Sequence, residues 1–161
     1  MRNLDTIPAS FLAGYCPEPL VWSFLDQMTA SAPSPILQPS CLFLDTAGRF
    51  HYKGEKSKEQ SLAEGIRALG ESAYYLIMGI PALNSHVQTA SSPIPSIPPR
   101  RSSRELDTLI RRCLAFCPED RPALQEIRAV VEREKGKERR ALKGNLQEDS
   151  CSFSFWKEEM L

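Results

Sequence analysis

Between Pro17 and about Ala30 the apolar residues Leu20, Val21, Phe24, Leu25 and Met28 recur at helical spacing, with Pro17 and Pro19 where a first turn tolerates a missing donor. The spacing predicts an amphipathic helix. It ends at SAPSPILQP, where three prolines in seven residues forbid helical continuation. CLFL and RFHY then flank Asp45-Thr46-Ala47-Gly48 and read as one short β-hairpin. In SLAEGIRALGESAYYLIMG, Ser61 stands three residues before Glu64, as in a capping box, and Leu62, Ile66, Leu69, Ala73, Leu76 and Ile77 form one stripe. From Ala73 to Met78 nearly every side is apolar, so this is the expected core helix, closing at Gly79. Residues 84–101 lose all periodicity and carry four prolines in seven residues, which predicts a surface loop.

Order resumes at Ser102, three residues before Glu105 in a second capping-box arrangement, and Leu106, Leu109, Ile110, Cys113 and Leu114 give another helical stripe. After a Pro118–Pro122 turn, Leu124, Ile127, Val130 and Val131 supply one more apolar face. Its charged continuation, EREKGKERRALKG, predicts fraying after about Glu134. The chain therefore reads as a mainly α domain with one hairpin over residues 1–134. Residues 135–161 read as a charged, flexible tail ending in an aromatic cluster.

The chain has 161 residues and 42% hydrophobic content, enough for one modest core. Lys plus Arg equals Asp plus Glu at 20 each, so no overall field draws it to nucleic acid or an anionic membrane. No stretch approaches the roughly 20 apolar residues of a membrane span, and the N-terminus lacks the apolar run of a signal peptide. Five cysteines, odd in number and without Cys-x-x-Cys spacing, favour reduced thiols. A cytoplasmic protein without membrane insertion, nucleic-acid partner, metal or cofactor is expected.

The segment LIRRCLAFCPEDRPALQEI, a helix, a Pro-Glu-Asp-Arg-Pro turn and a helix, resembles the end of a protein-kinase catalytic domain. The resemblance implies that Arg121 is buried against a carboxylate, with Glu55, Glu59 or Glu64 as the partners within reach. RALGESAYYLIMGIP looks like the kinase core helix, with its Leu69-Gly70 step and closing Gly79, and QPSCLFLDTAGRFHYKG looks like the hairpin after the catalytic loop. The residues of phosphoryl transfer do not accompany them. No Gly-x-Gly-x-x-Gly occurs, Ser34-Pro35-Ile36 stands where the catalytic motif would be, Cys41 falls on the metal-binding Asn position, and Gly54-Glu55-Lys56 replaces Asp-Phe-Gly. A kept C-lobe without its chemistry is similar to the KIND domain, the kinase non-catalytic C-lobe module, whose early Trp Trp22 matches in PEPLVWSFLDQM. The resemblance implies a non-catalytic protein-binding module with a protein partner. The alternatives are a nucleotide-binding pseudokinase or residual phosphotransferase, and a truncated isoform without activity of its own.

Further candidates come from the residues alone. His51 and His86 have no ligand-spaced neighbours, so neither is expected to bind metal. Cys113 and Cys117 are expected to be buried structural thiols, and Trp22 with Tyr74 or Tyr75 to be core aromatics. Arg100-Arg101-Ser102-Ser103 has the look of a phosphorylation site at Ser102 or Ser103, against the simpler reading of Ser102 as an N-cap. Phe153, Phe155 and Trp156 are expected either to pack back on the domain or to dock on a partner.

Overall fold

A computed structural model describes residues 6–30, 39–54, 61–82 and 94–159, with side chains as far as residue 141. Helix α1 spans Glu18–Met28, with Pro17 as N-cap and Pro19 in the first turn. Its last turn is closed by Thr29, whose hydroxyl donates to the Leu25 carbonyl at 2.7 Å. Val21, Trp22, Phe24 and Leu25 are its buried face.

The hairpin forms as strands β2 (Leu42–Asp45) and β3 (Phe50–Tyr52), paired antiparallel with Phe43 opposite His51. Asp45 organises the turn by accepting from the backbone N–H of Ala47 and of Arg49, each at 2.9 Å, while Gly48 takes φ +78°. Two side chains of α1 fix the hairpin from outside. Gln27 accepts from the Phe50 N–H at 2.7 Å and donates to the Gly48 carbonyl at 3.3 Å, and Phe24 meets Phe50 edge-to-face at 5.2 Å. The hairpin is not alone, however. Strand β1 (Thr6–Pro8) pairs antiparallel with β2, giving a three-stranded sheet in the order β1-β2-β3.

Helix α2 (Leu62–Met78) is the central element: Leu69, Ala73, Tyr74 and Leu76 have no exposed surface. The Ser61 hydroxyl accepts from the Glu64 N–H at 3.4 Å, and Gly79 ends the helix in the left-handed conformation, φ 74°, with its N–H on the Tyr75 carbonyl. Helix α3 (Arg104–Cys113) crosses α2 at Gly70, where an added Cβ would lie 2.7 Å from the Cys113 Cβ. The N-cap of α3 is Ser103, whose hydroxyl accepts from the Leu106 N–H, not Ser102 as the capping-box spacing predicts. Ahead of α3 the proline-rich loop is described from residue 94, residues 84–93 lying outside the described residues, and this last part of it is anchored. Ile97 is buried in the core, its N–H donates to Asp107 at 3.1 Å, and the Tyr74 hydroxyl donates to the Pro95 carbonyl at 3.3 Å.

Helix α4 runs from Leu124 to Glu159 without a break at Glu134. Ile127 and Val131 enter the core, and α4 lies along α1, tied by Lys135 to Asp26 at 2.6 Å and by Arg128 to the Thr29 carbonyl. The loss of apolar residues after Val131 led the pattern to read fraying there. Yet residues 133–143 are dominated by Glu, Lys, Arg, Ala and Leu, the strong helix formers, and Glu134 is buried between Arg133 at 3.3 Å and Lys137 at 3.0 Å.

Candidate functional site

Arg121 sits in the turn between α3 and α4, at the end of a 3-10 turn over Pro118–Asp120. Its guanidinium donates to three backbone carbonyls: Ala115 at 2.9 Å and Phe116 at 3.3 Å from its own connection, and Ala63 at 2.9 Å from the first turn of α2. Among the described residues it meets no carboxylate, so Glu64 is not its partner; Glu55 and Glu59, the other two expected, lie outside the described residues. The group is partly desolvated, which with the nearby Arg67 lowers its pKa, while Glu64 acts in the opposite sense. Carbonyls serve this cation in a carboxylate's stead because a guanidinium spreads its donors over a fixed fork. The result is a staple from the α3–α4 turn to the start of α2.

The other motif residues belong to the frame. Trp22 is buried, its indole N–H donating to Glu18 at 3.0 Å, and Leu69 is fully buried. Gly70 permits the α2–α3 contact and Gly79 the α2 end. Of the two tyrosines, Tyr74 is the core residue and Tyr75 is half-buried. Cys113 is buried as expected, and burial pushes its thiol up to about 12, but Cys117 is exposed, so the pair does not form one buried site. The difference arises because α3 ends at Cys113, and Cys117 caps the 3-10 turn instead of continuing the helix.

The Ser102–Ser103 pair is not an open loop site. Ser102 is 5% exposed, and Ser103 gives both its N–H, at 2.7 Å, and its hydroxyl to the Glu18 carboxylate. Glu18 thereby occupies the place at the α3 N-terminus that a phosphate would be drawn to. His51 lies exposed on β3 and pairs with Asp45 at 2.7 Å, a carboxylate six residues earlier that only the hairpin brings alongside, while His86 lies outside the described residues. Cys41 is half-buried just ahead of β2, and residues 34–36 lie outside the described residues. Among the described residues no three metal-ligating side chains gather, and no helix is long and apolar enough to cross a membrane.

One surface has no counterpart in the sequence reading. Gly14, at φ +83°, donates its N–H to the Leu76 carbonyl at 3.0 Å and lies against Gly79. Arg101 fastens both sides of this crossing, its Nη1 donating to the Gly14 carbonyl at 3.1 Å and to the Ile77 carbonyl at 3.2 Å. Tyr15, 89% exposed, and Ile80, 54% exposed, follow Gly14 and Gly79 directly in the chain, and Phe11, 76% exposed, stands three residues before Gly14. Phe11 and Tyr15 follow no strong periodicity, so only their exposure identifies them. Phe153, Phe155 and Trp156 fall in the helical backbone of α4, and their side chains lie outside the described residues. No protein-family model matches the chain, and a search of curated proteins finds no match.

Proposed function

We propose that this protein is a non-catalytic protein-binding module on a kinase C-lobe-like, KIND-like frame. The observation that carries the reading is Arg121. An arginine in a Pro-Glu-Asp-Arg-Pro turn reaches across to the connection that opens the core helix, as the resemblance implies, but it serves there as a structural staple on carbonyls. The order of elements supports the same reading: an early helix with a buried Trp22, a hairpin, a central helix with a tight Leu69-Gly70 step, and two closing helices. Cys41 and Gly54, at positions where a kinase holds its metal, offer no carboxylate or amide oxygen from their side chains. What the frame offers a partner is the exposed apolar side chains of Phe11, Tyr15 and Ile80, since large exposed apolar residues, two of them aromatic, near a fixed arginine have the composition of interface centres.

The test pairs two measurements on the full chain. Millimolar ATP with Mg²⁺ is expected to leave the melting temperature unchanged within about 1 °C, because only a ligand that binds the folded state raises it. A metal-dependent rise of several degrees overturns the reading in favour of a nucleotide-binding pseudokinase. Quantitative affinity capture is then compared between the wild type and a Phe11→Ser/Tyr15→Ser variant of equal stability. Partners lost from the variant support the proposal, and identical capture refutes the assigned surface.

A further inference from the structure

From Ile94 to Arg100 the chain reads Ile-Pro-Ser-Ile-Pro-Pro-Arg, two aliphatic-proline pairs three residues apart with an arginine two positions after the second. Local chemistry fixes its shape. Pro95, Pro98 and Pro99 have φ locked at about −65°, and Ile94, Ile97 and Pro98 each precede a proline, which keeps them out of the helical region. Of residues 94–99 only Ser96 escapes both constraints, so the segment is biased towards a polyproline II helix before any tertiary contact forms, and residues 94–98 carry neither α-helix nor strand. Three residues make one turn of such a helix. Ile94 and Ile97 therefore share one edge, Pro95 and Pro98 a second, and Ser96 and Pro99 the third. The fold uses the first edge: Ile97 is 4% exposed, and Ile94 packs half-buried against the same core. The backbone is tied by the Tyr74 hydroxyl, which donates to the Pro95 carbonyl at 3.3 Å, and by Asp107, which accepts from the Ile97 N–H at 3.1 Å, while Arg111 reaches the Ser96 hydroxyl at 3.4 Å. Pro95, Ser96, Pro99 and Arg100 stay exposed, and among the described residues Arg100 meets no carboxylate.

We propose that residues 94–100 are a ligand for the aromatic-lined groove of an SH3-type domain, and that the fold masks this ligand by keeping Ile97 in the core. Such a groove takes one aliphatic-proline pair in each of two successive pockets and an arginine on a carboxylate at its end. Ile94-Pro95 and Ile97-Pro98 supply the pairs at the period of the polyproline helix, and Arg100 supplies the cation. Delivery of Ile97 to the core accounts for a stiff segment, but not for an exposed arginine in register with both pairs. One isoleucine cannot fill the core and a partner's pocket together. Docking thus requires the segment to lift off α2 and α3, and the fraction of molecules in which it has done so sets the apparent affinity. Tyr74 and Asp107, which hold the backbone, act as the latch. The inference does not depend on the kinase-lobe reading or on the Phe11, Tyr15 and Ile80 side chains.

Fluorescence anisotropy tests it, with a labelled peptide of residues 94–103 titrated by an array of purified SH3 domains and the unlabelled full chain then added as competitor. The peptide needs no fold, because its prolines set its shape locally. It is expected to bind at least one member of the array, and Pro98→Ala or Arg100→Glu in the peptide to weaken that binding by roughly tenfold or more. The full chain is expected to compete roughly a hundredfold more weakly than the unlabelled peptide. Tyr74→Phe/Asp107→Ala, which removes both backbone ties and leaves every ligand residue in place, should make the full chain roughly tenfold tighter. Circular dichroism checks that this variant is folded, and Tyr74→Phe alone, which keeps the ring in the core, carries the same comparison if it is not. An array in which no member binds the peptide, a full chain as tight as the peptide, or a folded variant no tighter than the wild type overturns the proposal.

Discussion

Replacing glycine by alanine in two helices of this protein should move stability in opposite directions. In a helix interior the change by itself is worth about 0.5 to 1 kcal/mol in favour of alanine, because glycine loses more backbone freedom on folding. At Gly136 in α4 nothing opposes that gain: the nearest atom to an added Cβ is Arg140 Nη2 at 3.8 Å, ordinary contact with a mobile side chain. Gly136→Ala should therefore stabilise by roughly 0.5 to 1 kcal/mol. At Gly70 the new methyl would lie 2.7 Å from the Cys113 Cβ, 3.2 Å from Leu114 Cγ and 3.4 Å from the Ile110 carbonyl oxygen. A Cβ is fixed to its backbone, so α3 must move off α2, and overpacking of this kind costs about 1 to 3 kcal/mol. Subtracting the propensity gain leaves Gly70→Ala destabilised by about 1 kcal/mol at the middle of both ranges and by up to about 2.5 kcal/mol. Urea unfolding followed by circular dichroism reads both, as opposite shifts of midpoint at constant slope. Stabilisation by Gly70→Ala would mean that α2 and α3 are not in close contact at this point.

Arg121→Ala should cost about 2 to 3 kcal/mol in the same assay, because three carbonyls lose a charged donor together. Arg121→Lys should recover little of it, since an ammonium cannot span the fork; an alanine variant within about 0.5 kcal/mol of wild type refutes the staple. Under native conditions a maleimide should modify Cys117 within minutes and spare Cys16 and Cys113, whose thiols are buried and pushed up to about 12; equal labelling by mass spectrometry contradicts this. Asp45 is held down at about 2, first by the hydrogen bond with His51 and then by the Arg49 N–H. A depressed carboxylate supports the hairpin above its unfolded value of 3.8 and loses that support as the pH falls towards 2. The amide signals of Ala47 and Arg49 should thus titrate near 2 in the wild type and higher in His51→Ala, and a midpoint already at 3.8 in the wild type would remove the pairing.

Where one element buries one stripe, the fold was open to reading from the residues. Leu20, Val21, Phe24 and Leu25 gave α1, Ser61 and Gly79 marked both ends of α2, and Gly48 marked the hairpin turn, because each acts through its immediate neighbours. Features joining distant parts of the chain were not open to it. Three residues of β1 carry no alternation of their own and are a strand only because β2 offers an edge. Two adjacent serines fit the α3 cap equally well by spacing, and Glu18, 85 residues away, meets Ser103 in the fold. Arg121 was recognisable as an anchored arginine, and it is half-buried, but its acceptors are backbone carbonyls, which every residue supplies and no side-chain pattern announces. The Phe11, Tyr15 and Ile80 surface escaped for a related reason: exposure of an aromatic is a property of what fails to cover it.

The way the helices share the core bears on how the chain is made. α1 packs on α2 within the first half of the sequence, but α1 also packs on α4 and α2 on α3, so each of these helices needs a partner from the second half to complete its burial. When Met78 leaves the ribosome, the faces of α1 and α2 with Leu25, Leu69 and Leu76 have each other but still lack the α3 and α4 surfaces that cover them. About 53 more residues must follow before Val131 is available, roughly 3 to 10 seconds of synthesis. Over that interval the nascent chain is a sticky half-domain that a holdase would recognise, and native structure arrives late and all at once.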